Sequence, residues 1–364
     1  MAVSELLSEL VRIDSINPDM VEGAAGEGEI ARFVAGWLEH AGLEVEVEEL
    51  APGRFNTVGI ARGSGGGKSL LLNAHMDTVG VAGMERPFEP TLENGRLHGR
   101  GSYDMKAGLA AIMLAGADAA GAALRGDVIV TAVADEEVAS VGSARIAERY
   151  SADAAIVSEP TEMRLALAHK GFVGFEIEAK GRAAHGSRPD LGIDAIARMG
   201  HVLVGIEVLD RRLRADPTHP LLGSGSLHAS VIEGGQEFSS YPERCLLKGE
   251  RRTIPGEPVE HVKGELRELL GDIDGEIRVV VARQPFETPA DEPIAELVSR
   301  HAGGPEIVGV PFWADSALLS SAGIPTVVFG PAGEGAHAVE EWVDLASVER
   351  CVEIYSAVAR ELCA

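Results

Sequence analysis

The chain has 364 residues, 45% of them hydrophobic and 24% charged, which is enough to bury a large core and long enough for two domains. Its 57 Asp and Glu against 32 Lys and Arg give a formal net charge of −25, which repels phosphate backbones and anionic lipid heads and argues against nucleic-acid or membrane partners. Three cysteines, Cys245, Cys351 and Cys363, form no C-x-x-C pair, which argues against a disulfide framework and a thiolate metal site and fits a reducing compartment.

Residues 1–15 lack a basic start followed by an apolar stretch, so no signal peptide is expected and the protein is expected in the cytoplasm. Residues 69–74 (SLLLNA) are a continuous apolar run and predict a strand. Just before it, residues 63–67 (GSGGG) read as a plain hairpin turn between two strands. Residues 105–124 predict a buried helix rich in Ala and Gly, broken by Asp118 and too polar to span a membrane. Further apolar runs follow at residues 128–134 (VIVTAVA), 154–157 (AAIV) and 325–329 (PTVVF), with a helix over 142–149. Runs that are apolar on both faces and spaced by helices predict an α/β fold, a mostly parallel sheet sandwiched by helices.

The style changes over residues 170–284. Residues 172–179 (FVGFEIEA) alternate as a half-exposed strand does, followed by a helix over 192–213 and strands over 226–232 and 245–251. A helix over 258–270 and a strand over 276–282 complete the order strand, helix, strand, strand, helix, strand. This predicts an inserted ferredoxin-like α+β domain. The expected division is a catalytic domain over 1–169, the insert over 170–284 and the rest of the catalytic domain over 285–364.

The chemistry lies where the apolar runs stop. His75 and Asp77 follow the first run, Asp135, Glu136 and Glu137 the second, Glu159 the third, and His337 lies in the loop after the fourth. Functional groups gather beyond the carboxyl ends of parallel strands, so these residues are expected to share one crevice. Asp104, just before the Ala-rich helix, can be aimed at the same place, although an acid there is more often an N-cap. A lone His after a strand is usually a loop residue, and consecutive acids are usually solvated. Together, however, these acids would repel one another by several kcal/mol without a cation between them. Imidazole and carboxylate without thiolate suit Zn, Co or Mn. Two divalent ions about 3.5–4 Å apart would use the whole set and activate water, with a further carboxylate as general base. No G-x-G-x-x-G opens a helix after a strand, so a dinucleotide site is not expected.

Six segments in order make the chain resemble the dinuclear zinc amidohydrolase and exopeptidase family of acetylornithine deacetylase, succinyl-diaminopimelate desuccinylase, aminoacylase and carboxypeptidase G. They are HMDT at His75, GRGSYDMKAG around Asp104, ADEE ending at Glu137, SEPT at Glu159, AAHGSRPDLGIDAI at His185 and GAHAVEEW at His337. The resemblance implies that Asp104 bridges two ions, with His75 and Glu159 completing one shell and Glu137 and His337 the other. It implies Glu136 as general base and Asp77 as the group that holds the His75 ring.

It also implies that the insert forms a homodimer, that His185 reaches the partner subunit's site to stabilise an oxyanion, and that Arg252 grips a substrate carboxylate. Ser239 stands where relatives often carry Asn, and Glu250 and Arg251 precede Arg252, two departures that bear on the substrate more than on the chemistry. The implied reaction is hydrolysis of the amide bond of an N-acyl amino acid, as in acetylornithine deacetylase. A dipeptidase, carboxypeptidase or desuccinylase would use the same centre. A non-catalytic descendant would have lost a ligand or the base, and a single-metal protein would leave Glu159 or His337 merely structural.

Overall fold

The structure, a computed structural model, describes residues 2–364 and divides into two compact units. One unit comprises the chain up to Leu167 together with Thr288–Val308 and Ala314–Ala364; the other comprises Ala168–Glu287 and Gly309–Trp313.

The first unit begins with helices α1 (Val3–Arg12) and α2 (Gly28–His40), followed by strands β1 (Glu44–Ala51), β2 (Arg54–Ala61), β3 (Leu70–His75), β4 (Thr91–Glu93) and β5 (Arg96–His98). Helix α3 (Lys106–Ala120), strand β6 (Val128–Val133), helix α4 (Val141–Arg149), and strands β7 (Ala154–Val157) and β8 (Leu165–His169) come next. The second unit carries β9 (Gly171–Lys180), α5 (Ala195–Ala215), β10 (Ser226–Gly234), β11 (Arg244–Thr253), α6 (Val259–Leu270) and β12 (Gly275–Arg283). The C-terminal part runs through β13 (Phe286–Glu287), α7 (Pro293–Ala302), β14 (Ile307–Val310), α8 (Ser316–Ser321), β15 (Thr326–Val328), β16 (Gly333–Glu334), β17 (Trp342–Asp344) and α9 (Leu345–Leu362).

The main sheet follows the order β1-β2-β6-β3-β7-β15-β8-β13. Its centre, β6-β3-β7-β15, is parallel, and antiparallel strands extend it on both sides. Every residue of β3, β6, β7 and β15 is buried, which is why these segments read as unbroken apolar runs. The expected α/β class therefore holds, with the parallel character concentrated in the central strands that carry the functional residues.

One expectation is corrected. The GSGGG segment is not a hairpin turn, because β2 and β3 are not neighbours and β6 lies between them. The segment instead crosses the entrance to β6. A Cβ on Gly63 would stand 2.4 Å from the Arg125 carbonyl oxygen, and one on Gly67 2.3 Å from the Gly126 nitrogen. Glycine is needed there for close backbone approach, not for a tight turn.

In the second unit, an antiparallel sheet of order β10-β11-β9-β12 packs its buried residues, among them Phe175, Ile177 and Leu247, against Val202 and Ile206 of α5 and Val262 and Leu266 of α6. Seven of the nine residues of edge strand β10 are exposed. All three cysteines are free and buried. Among the described residues, no helix is long and apolar enough to cross a membrane.

Candidate metal centre

Because β3, β6, β7 and β15 run parallel, their carboxyl ends share one edge of the sheet, and that edge collects the titratable groups. His75 is the last residue of β3, the Asp135–Glu137 turn follows β6, Glu159 follows β7, and His337 lies beyond β15. Asp104 precedes α3 but caps nothing, since the N-cap position is Met105 and no side chain caps the helix. Its carboxylate faces outward into the cluster instead.

The two oxygens of Asp104 divide between two imidazoles. Oδ1 lies 3.2 Å from His75 Nε2, and Oδ2 lies 3.3 Å from His337 Nε2. Glu159 Oε1 is 3.9 Å from His75 Nε2, and Glu137 Oε2 is 3.1 Å from His337 Nε2. Among the described residues, two ligand groups result, His75–Asp104–Glu159 and Asp104–Glu137–His337, each with its ligand atoms within 4.8 Å of one another.

The His75 tautomer follows from its other nitrogen. Nδ1 lies 2.9 Å from the Asp77 carbonyl oxygen, which can only accept, so Nδ1 carries a proton and Nε2 is the nitrogen that, once neutral, would turn its lone pair to the cluster. The Asp77 carboxylate is farther away, at 3.6 Å from Nδ1. It accepts instead from the backbone N–H groups of Glu136 (3.1 Å) and Glu137 (3.2 Å), tying the β3 end to the turn after β6.

The electrostatics show how costly the cluster is without a cation. Burial, then the charge of Glu159, pushes the Glu136 carboxyl well above the usual range. Burial likewise raises Glu159 and Glu137, against the opposing pull of His75 and His337 respectively. Asp104 resists its burial through hydrogen bonds to His337 and His75 and is held below the ordinary range. Burial opposes charge on His75, yet Asp104 and the acids around it raise this ring well above normal, and His337 rises to about 10 through Asp104 and Glu137. Glu137 Oε1 is buried with no hydrogen-bond partner.

This donor set fits divalent metal. A buried orphan carboxylate oxygen, two imidazoles and a carboxylate shared by both groups suit divalent ions, and no thiol is present among them.

Four supporting residues were absent from the sequence reading. Glu341, 2% exposed, accepts from the backbone N–H groups of Gly101, Tyr103 and Asp104 and from Arg100, so it holds the loop that carries Asp104. Asp315, also buried, accepts from Ser143 Oγ at 2.6 Å and is raised to about 6, by burial first. Arg54 and Asn17 pair with Asp135, which removes that acid from the ligand candidates. Glu341 stood inside the recognised GAHAVEEW segment, and only its burial separates it from exposed Glu340. The other three carry no local signal.

The remaining sequence candidates lie in the second unit. His185 is exposed, and the Ser187 backbone N–H donates to its Nδ1 at 3.2 Å, so the neutral ring carries its proton on Nε2. Ser239 is exposed, and its carbonyl accepts from Gly186. Arg252 donates through Nε to Glu250 at 2.6 Å and lies over the Phe172 ring. Arg251, by contrast, is fully buried between Glu257 and Glu265 and serves the packing of the unit.

Comparison with known proteins agrees with this arrangement. Peptidase family M20/M25/M40 matches residues 71–361, well over half of the chain. The acetylornithine deacetylase of Myxococcus xanthus is 31% identical, with 100% of this chain and 98% of its own covered. That of Proteus mirabilis is 28% identical, covering 99% and 96%. Among solved structures, an aminopeptidase from Bacillus cereus superposes with a TM-score of 0.81 at 19% identity, over 100% of this chain and 98% of its own. A dinuclear metal-binding peptidase from Bacillus subtilis gives 0.75 at 17% identity, over 99% and 97%. At those identities the structural likeness speaks to the fold, while the family match and the curated relatives speak to the chemistry. The chain thus belongs to peptidase family M20/M25/M40 and is a metal-dependent hydrolase of amide or peptide bonds.

Proposed function

We propose that the chain hydrolyses the amide bond of an N-acyl amino acid, with an acetylornithine-type substrate as the best match, at a centre of two divalent ions, zinc above cobalt or manganese. The observation that carries this is the division of the Asp104 carboxylate between His75 and His337, each imidazole with its own further carboxylate, Glu159 or Glu137. His75, Asp104 and Glu159 would hold one ion, and Asp104, Glu137 and His337 the other. Bound there, the pair would supply Lewis acidity, polarising the amide carbonyl and making water acidic enough to react near neutral pH.

The protein residues supply the rest. Glu136 takes a proton from the attacking water on its carboxylate and passes it to the nitrogen that leaves as the C–N bond breaks. Asp77 fixes the His75 tautomer through its carbonyl and sets the turn bearing Glu136 through its carboxylate. His185 offers its Nε2–H to the oxyanion in the partner subunit's site, and Arg252 and Ser239 bind the substrate carboxylate and its neighbours. Glu250 already occupies one side of the Arg252 fork, which favours a substrate that approaches the other side. The exposed edge of β10 and exposed Val204 and Val208 of α5 support the second unit as a homodimerisation surface.

The test is turnover of acetyl-, succinyl- and aminoacyl-substituted amino acids by the zinc- and cobalt-loaded chain, with metal counted per chain. Two ions per chain and hydrolysis of acetylated substrates are expected, and Glu136→Gln should abolish turnover while leaving metal content near the parent's. Hydrolysis of dipeptides alone would shift the reading to a peptidase. One ion per chain, or an active Glu136→Gln, would overturn it.

A further inference from the structure

Behind the cluster lies a buried polar network that the proposed reaction does not use. Arg54, the first residue of β2, is 5% exposed, and around it Asn17 and Glu27 are 0% and Asp135 2% exposed. Its Nη1 donates to Glu27 Oε1 at 2.5 Å, and its Nη2 donates to Asn17 Oδ1 at 2.5 Å, Asp19 Oδ2 at 2.5 Å and Asp135 Oδ1 at 2.9 Å. Asn17 Oδ1 also accepts from the Asp19 backbone N–H. Two donors on Oδ1 fix the amide orientation, so Nδ2 must point at the acids. It does, donating to Asp77 Oδ2 at 2.8 Å and Asp135 Oδ1 at 3.0 Å.

Asn17 therefore spans two carboxylates that control the site from both sides. Asp77 holds the backbone of Glu136 and Glu137 and, through its carbonyl, the His75 ring. Asp135 opens the same turn from a left-handed conformation, φ 68°, which Asp adopts more readily than most residues with a side chain. One guanidinium pairs with two buried carboxylates, Glu27 and Asp135, and Asn17 lies against a third, Asp77, so a charged side chain at position 17 would add to an existing excess. A side chain that accepts from Arg54 and donates twice without carrying charge resolves this, and an asparagine amide is such a group.

We propose that Asn17, clamped by Arg54, is a positioning residue for hydrolysis: its amide sets the Asp77–Asp135 pair and thereby the placement of Glu136, Glu137 and His75. The proposal rests on the two-metal reading above. It makes the N-terminal segment part of the hydrolytic machinery although none of its residues touches substrate. The alternative is that Asn17 merely fills space and stabilises the segment, and the two predict opposite orders for two variants.

The experiment compares Asn17→Ala and Asn17→Asp in the full chain, reading kcat, KM, zinc affinity by chelator competition, and the visible spectrum of the cobalt-loaded protein. Asn17→Ala removes both donations; Asn17→Asp keeps shape and the acceptor toward Arg54 but turns an oxygen toward two carboxylates. Expected are a fall in kcat of about 10- to 100-fold for Asn17→Ala with KM within about threefold, and a matching loss of zinc affinity. The isosteric Asn17→Asp should be the worse of the two, with an altered cobalt spectrum. Asn17→Ala within about twofold of the parent in kcat and zinc affinity, or Asn17→Asp milder than Asn17→Ala, overturns the proposal. Should neither variant fold, Arg54→Lys keeps the cation but loses the fork; a loss of about tenfold in kcat is then expected, and parent-like kcat and affinity overturn the proposal. A parent chain that neither binds zinc nor turns over removes the two-metal reading itself, which separates that failure from this one.

Discussion

Replacing Glu341 with Ala tests whether the Asp104 loop is held by a single buried carboxylate. In the structure Glu341 Oε2 takes the Arg100 guanidinium at 2.7 Å and the Gly101 N–H at 2.9 Å, while Oε1 takes the N–H groups of Tyr103 at 2.9 Å and Asp104 at 3.0 Å. Arg100 is 3% exposed, so the substitution leaves a buried cation without this partner and three backbone donors unpaired. Breaking a buried ion pair from one side costs about 3–5 kcal/mol. The lost backbone bonds belong to the same event and are not additional, since groups sharing one partner are not additive.

At about 1.4 kcal/mol per factor of ten, that cost corresponds to a fall in amide exchange protection of two to three and a half powers of ten. The assay is hydrogen–deuterium exchange on peptides covering residues 101–104, beside zinc affinity, which should weaken about 10- to 100-fold as Asp104 loses its placement. Exposed Glu340 is the control, and Glu340→Ala should stay within about 0.5 kcal/mol of the parent. If Glu341→Ala leaves exchange at residues 101–104 within about threefold of the parent, the loop is held by something else and the reasoning fails.

Three further outcomes follow from the same kind of argument. In the metal-stripped chain Asp315 is raised to about 6 and Glu27 to about 7, burial being the main cause of each, so both retain protons that their unfolded forms have lost. The folded state then binds more protons across this range at these groups, as it also does at His337, raised to about 10; buried Lys106, lowered to about 7, opposes this only toward the upper end, so on balance stability falls as the pH rises. Denaturant unfolding should show the stripped chain less stable at about pH 7 than at about pH 5.5, zinc should flatten or reverse that slope, and a stripped chain that gains stability over this interval would contradict the argument. Gly108→Ala would set a Cβ 2.3 Å from the Ser158 carbonyl oxygen, next to Glu159, and should cost about 1–3 kcal/mol in thermal unfolding and lower zinc stoichiometry. Arg251→Ala should destabilise by about 3–5 kcal/mol, whereas Arg252→Ala should unfold near the parent and raise KM for carboxylate-bearing substrates, a split read by unfolding beside kinetics.

The centre was legible because burial and function coincide in the same strands. β3, β6 and β7 are buried along their whole length, so each appears in the sequence as an apolar run whose end is sharply marked by the first polar residue. In a parallel sheet the polar residues that follow such runs gather at one crevice, and that rule alone pointed to His75, to the Asp135–Glu137 turn as a whole and to Glu159. Separating Glu136 from Glu137, and Asp77 from the ligands, required the family resemblance. The reason is visible in the fold: the Glu136 and Glu137 backbones are both held by the Asp77 carboxylate, and only their side-chain directions differ.

What stayed hidden is the set of partners that keeps these acids in place. Asn17 reaches Asp77 across 60 positions, Arg54 reaches Asp135 across 81, and Glu341 reaches Asp104 across 237. A single polar residue has no periodicity, and its role depends on which distant group the fold brings against it, so pattern reading passes over it. Energetically, however, these residues bear directly on the ligands. Cations can offset the repulsion among Asp104, Glu137 and Glu159, but they bind tightly only if the carboxylates already stand in place. In the structure that placement comes from Glu341 beneath Asp104 and from Asn17 and Arg54 behind Asp77, polar groups that are themselves buried and paired. Loss of any one exposes an uncompensated charge or donor in the interior, so the placement of the candidate ligands and the stability of the loops around them rest on the same few hydrogen bonds.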